Sequence, residues 1–181
     1  MPDPLAFEPL SDAADPWVMA LTRLETKIKN ADLSFAKYCQ ATWSRAPMVF
    51  AHTEPNGPNI PIYDPPLDLC PAVVLETSNT LPGQDGGAGS ERWYFSVMLY
   101  AKFLVKDGDQ TKCIRAFHEL IRTVMRGWRT GTLDPLSTIG NAGYDMLQGD
   151  LTPEFARPGG GMLVGRAAFG LRFRFAENIL G

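Results

Sequence analysis

Cys39, Cys70 and Cys113, with His52 and His118, are the residues of this chain best suited to nucleophilic or metal chemistry. A thiolate needs a base within hydrogen-bond reach. Cys113 and His118 stand five positions apart in a segment of helical periodicity, and helix neighbours lie three or four apart, so the spacing does not join them. A small core thiol and a partly buried histidine are the plainer roles. An odd number of cysteines with no CxxC spacing and only two histidines argues against a zinc site. The expected state is three buried free thiols in a reducing compartment.

Glycine-rich segments and carboxylates give no stronger signal. Gly83-Gln-Asp-Gly-Gly-Ala-Gly89 and Gly159-Gly-Gly161 each lead into a strand, whereas a phosphate cradle leads from a strand into a helix N-terminus. Asp64, Asp68, Asp85, Asp107, Asp109, Asp145 and Asp150 fall in loops or at element ends, where they turn and cap the chain. Asp107-Gly-Asp109 is too short for an EF-hand loop. Ser11, Ser44, Ser78 and Ser137 lack a GxSxG context. No catalytic, cofactor or metal residues are assigned, and the chain is not expected to be an enzyme.

The strongest electrostatic feature is near the C-terminus. From Gly165 to Phe175, Ala167, Phe169, Leu171, Phe173 and Phe175 alternate with Arg166, Ala168, Gly170, Arg172 and Arg174. Successive strand side chains point to opposite faces, so this segment reads as a strand with one apolar and one basic face. Arg166, Arg172 and Arg174 are either solvated or matched to acidic residues of a neighbouring subunit, where arginine makes bidentate bonds. A DNA-facing role is disfavoured by the formal net charge of -3 and by the lack of interleaved aromatics.

The elements that must position these residues follow from periodicity. Asp15-Pro16 opens a helix to about Asn30, with Val18, Leu21, Leu24 and Ile28 at helical spacing. Residues 33–44 read as helix or irregular structure, 47–51 as a short strand, and 72–77 as a strand rich in β-branched residues. Arg92–Val105 alternates on two rather apolar faces, one holding Tyr94, Met98 and Tyr100, which predicts a central strand or one whose second face meets another protein. Asp109 is placed to cap a helix over 111–128 with Ile114, Phe117, Ile121, Val124 and Trp128 on one stripe. Residues 144–151 and 162–175 are the last strands. Loops are expected at 54–66, with its five prolines, at 81–91 and at 152–161, and an arm at 1–14.

The order predicts a single α+β domain over 1–181: a mostly antiparallel sheet with long hairpin strands and helices packed on one face. The N-terminus has neither a basic segment nor an apolar core, and no apolar run approaches the roughly 20 residues of a membrane helix. A soluble, intracellular protein is expected, with no membrane partner and no sequence-specific nucleic acid.

This layout resembles the tail terminator proteins of long-tailed bacteriophages and their prophage or tail-like relatives. The resemblance is carried by the helix 16–30, the strand 72–77, the loop and long strand 92–105, the amphipathic helix 111–128 and the final strand 162–175. It spans nearly the whole chain, as layout and size and not as a diagnostic motif. The proline-rich insertion 54–66 and the N-terminal arm depart from a minimal version. The resemblance implies a structural component of the virion tail or neck, assembled in the host cytoplasm. It would form a hexameric ring that caps the tail tube protein, stops tube growth and docks the neck or head connector. Arg166, Arg172, Arg174, Tyr94, Met98 and Tyr100 are then the candidate subunit or partner interface. The alternatives are another neck or head-completion protein, or a small ligand-binding or enzymatic domain using Tyr94, Tyr100, His118 and Arg172.

Overall fold

A computed structural model describes residues 16–51, 65–83, 90–125, 143–147 and 153–178, with side-chain placement over 21–51, 65–76, 97–125 and 153–171. In chain order come α1 (Pro16–Lys29), α2 (Ser34–Trp43), β1 (Met48–Ala51), a 3-10 turn (Leu67–Leu69), β2 (Ala72–Gly83), β3 (Ser90–Val105), α3 (Gln110–Met125), β4 (Gly143–Leu147), β5 (Glu154–Gly159) and β6 (Met162–Asn178). The sheet order is β1-β2-β3-β6-β4, with β5 also paired to β6. The fold is α+β and the sheet is mixed. β1 runs parallel to β2, while the β2–β3, β3–β6, β4–β6 and β5–β6 pairings are antiparallel.

Period-two alternation decides which side of this sheet is core. Val97, Leu99, Ala101, Phe103 and Val105 of β3 join Ala167, Phe169 and Leu171 of β6 and Val73 and Leu75 of β2 in one buried cluster. Leu21, Leu24 and Ile28 of α1, Phe35 and Cys39 of α2, and Cys113, Ala116, Phe117, Leu120 and Val124 of α3 complete it. Phe103 is central. It meets Phe117 edge-on at 4.8 Å and Phe35 at 6.1 Å, and it stacks on Trp43 at 5.5 Å. Burying a phenylalanine fully contributes about 1.5–3 kcal/mol, so this aromatic knot is a principal tie between the helices and the sheet.

The helices are tied to one another by polar contacts at their ends. Leu33, which precedes α2, offers no side-chain cap. The hydroxyl of Thr123 in α3 fills that role, accepting from the Phe35 amide at 3.0 Å and lying 3.2 Å from Ser34 Oγ. At the end of α3, Lys27 of α1 donates to the Val124 carbonyl at 2.9 Å, a cation at the negative end of a helix. Asp109 caps α3 from its own side, its Oδ1 accepting from the Thr111 amide at 2.9 Å.

Of the two forms open to residues 33–44, helix is the one found, over Ser34–Trp43. Several other expectations from the sequence are corrected: β2, expected over 72–77, runs on to Gly83. The segment 81–91, read as a loop, has its ends in β2 and β3, and residues 84–89 fall outside the description. The segment 152–161, also read as a loop, contains β5. Pro158 and the three glycines give it a loop composition, yet an edge strand tolerates proline, and Gly159, Gly160 and Gly161 at φ 117°, 60° and 76° form the turn into β6. The buried face of α3 is centred on Cys113, Ala116, Phe117, Leu120, Thr123 and Val124, so it is rotated from the predicted stripe, in which Ile114 and Ile121 are half-buried. Small residues turn toward the sheet because the backbone of β6 comes close at Gly165. A Cβ there would stand 2.8 Å from Cys113 Sγ. Asp15, Trp128, the arm 1–14 and the segment 54–64 lie outside the described residues.

Candidate functional site

The residues named for nucleophilic chemistry do not converge. Cys113 is buried beneath Gly165, and burial pushes its thiol up to about 11. His118 points outward from the same helix and is exposed. Burial likewise raises the Cys39 thiol. Thiols held protonated are poor nucleophiles and poor metal ligands. Among the described residues no group of three or more His, Cys, Asp and Glu could hold a metal ion. His52 lies outside those residues. Asp107 and Asp109 serve the turn and the cap: Asp107 Oδ1 accepts from the Asp109 amide at 3.2 Å, and its carboxylate pairs with Lys112. That bond holds the Asp107 carboxyl below the usual carboxylate range.

The face of the sheet away from the helices is different. Antiparallel register stacks the even-numbered positions of β3 and β6 in rows across it. Tyr94 pairs with Arg174, Ser96 with Arg172, Met98 with Gly170, Tyr100 with Ala168, and Lys102 with Arg166. Arg166, Arg172, Arg174, Tyr94, Met98 and Tyr100 therefore all take register positions on one face. Met98 and Tyr100 are half-buried, and Arg166 and Ala168 are exposed. A recess of about 370 Å³ opens beside Pro65, Tyr100, Lys102, Glu154, Arg166 and Ala168.

Two features of this face were not anticipated. Acidic residues stand opposite two of the arginines: Glu154 of β5 pairs with Arg166, and Asp145 of β4 pairs with Arg172. The face is therefore mixed in charge. Both acids belong to short edge strands, whose pairing partners no local pattern specifies. The second feature is Lys102. It is only 5% exposed, and its ammonium donates to the Pro65 carbonyl at 2.6 Å. The signal available was a lysine interrupting Met98, Tyr100 and Leu104 on an otherwise apolar face.

The described chain segment bonded to Lys102 lies at this end of the face. Residues 65–71 lead into β2, and Pro65 lies beside Lys102 of β3. The segment is also tied to α2's end, where Arg45 Nη1 donates to the Asp68 carbonyl at 2.7 Å, and to β1, where the Met48 amide donates to the Pro71 carbonyl at 2.9 Å. Beyond it, a second recess of about 440 Å³ lies among Trp43, Arg45, Leu67, Asp68, Leu104 and Lys112.

No protein-family model and no curated protein matches this chain. Its functional reading rests on its own residues. The described helices include none long and apolar enough to cross a membrane.

Proposed function

We propose that this chain is a structural virion component of the tail-terminator type, a subunit of a ring that caps the tail tube and joins it to the neck or head connector. The observation that carries the reading is the sheet face away from the helices. Its central strands β3 and β6 are 16 and 17 residues long, and that face holds the half-buried Met98 and Tyr100 among charged rows. One face of a sheet packed by three helices and the other offering tyrosine, methionine and arginine is the composition of a partner surface. In this reading the long β2–β3 hairpin and β6 form the platform, and Arg172 and Arg174 take part in contacts between subunits. A closed ring is a heterologous assembly, so each subunit needs two different complementary surfaces, and this face supplies one.

Light scattering over a concentration series tests the proposal. A species near six chains, forming at high concentration or on addition of tail tubes, is the expected result. Arg172→Glu with Arg174→Glu should leave the monomer folded and weaken that species. A stable dimer with nothing larger, or a monomer that ignores tail tubes, would overturn the reading.

A further inference from the structure

Residues 65–71 are held over the sheet in an unusual way. None of Leu67, Asp68 and Leu69 in the 3-10 turn is buried, and Leu67 is 37% exposed. Pro65 and Cys70, at its two ends, are buried. Pro71, which joins it to β2, is buried too and is held by the Met48 amide, while polar contacts to the rest of the segment include Lys102 Nζ to the Pro65 carbonyl and Arg45 Nη1 to the Asp68 carbonyl. Open space flanks the segment on both sides, the 370 Å³ recess beside Pro65 and the 440 Å³ recess beside Leu67 and Asp68. A segment whose middle is exposed and held by hydrogen bonds opens at lower free energy than the core beneath it.

We infer that residues 65–71 are a releasable strap, latched by Lys102, that covers the lower end of the helix-free face and limits how much of it a partner can reach. The strap claim stands on these contacts alone. Its consequence for association rests on the proposed role of that face. A buried ammonium is costly to keep in a sheet unless it is bonded, and an apolar residue would fill this position without that cost. Lys102 is the bonded case, and the bond runs to a backbone carbonyl of the strap. Loss of that bond uncovers Lys102 and its neighbour Ala72, beside the already exposed Arg166 and next to the half-buried Tyr100.

Hydrogen exchange on the full chain reads the latch directly. Within the strap, the Leu69 amide donates to Pro66 and the Cys70 amide to Leu67. In Lys102→Met, which keeps the stem and removes the donor, these two amides should exchange about tenfold faster or more, since bonds to charged groups carry that weight. Amides of Leu99 and Leu171 in the central strands should keep their protection. Arg45→Met tests the second tether without touching the sheet and should speed the same two amides. Unchanged exchange at Leu69 and Cys70 in both variants overturns the strap. So does loss of protection at Leu99 and Leu171 in step with the strap, because the segment would then not open separately. Sedimentation of the same variants tests the consequence: stronger self-association or tube binding than the wild type is expected. Faster strap exchange with unchanged association overturns its role as a cover. Failure of the ring proposal is distinct, because it shows in the wild type.

Discussion

Thr123→Val removes one hydroxyl and keeps side-chain shape, so it isolates the cap that α3 provides for α2. In the wild type the Thr123 hydroxyl is fully buried, accepts from the Phe35 amide at 3.0 Å and lies 3.2 Å from Ser34 Oγ. Valine and threonine have similar helix propensities, so α3 itself should be little affected. The cost falls on α2, whose Phe35 amide becomes a buried donor without a partner. An unsatisfied buried group costs about 1–3 kcal/mol, and losing an N-terminal cap costs about 1 kcal/mol by a separate route to the same contact. We expect a loss of about 2 kcal/mol, or a melting point lower by about 4–8 °C for a chain of this size. Thr123→Ser keeps the hydroxyl and deletes a methyl, at about 1 kcal/mol. Urea denaturation and calorimetry of the pair give the comparison, together with exchange at the Phe35 amide. The reasoning fails if valine is tolerated as well as serine, or if the Phe35 amide is equally protected in both.

Two further outcomes follow from the buried helix residues. Gly165→Ala places a Cβ 2.8 Å from Cys113 Sγ and 2.9 Å from its Cβ, so β6 and α3 must separate. A loss of about 1–3 kcal/mol is expected, partly recovered by Cys113→Ala, and an unchanged urea midpoint would contradict the close approach. The buried thiols set an alkaline limit. In the unfolded chain a cysteine loses its proton near pH 8.5, whereas Cys113 holds its own up to about 11 and Cys39 is shifted the same way. Unfolding therefore releases protons above about pH 8.5, and stability falls with rising pH at up to about 1.4 kcal/mol per pH unit per thiol until the folded-state value is reached. The urea midpoint should drop between pH 8 and pH 10, and less steeply in Cys39→Ala with Cys113→Ala. Equal slopes in the two proteins would show that the thiols are not linked to folding.

What the sequence determined by itself is local. The period-two alternation of 92–105 and 162–175 marked two long strands and sorted their residues by face, because a pleated strand sends neighbours to opposite sides whatever lies beyond. It sorted Tyr94, Met98 and Tyr100 onto one side of the first strand and Arg166, Arg172 and Arg174 onto one side of the second, and Asp109 marked a helix start through a bond two residues away. That the two sets share a face came only from the pairing of β3 with β6. Tertiary structure decided what no window of neighbours contains. Pairing with β6 made a strand of Glu154–Gly159 despite its proline and glycines. Close approach at Gly165 turned the small residues of α3 toward the sheet. Thr123 became the cap of a helix 88 positions earlier, and Lys102 came to hold a carbonyl 37 positions before it. The period of a strand says that it has two faces. Only the long-range contacts choose which face the helices bury, which charged positions pair across the rows, and which carbonyl Lys102 holds.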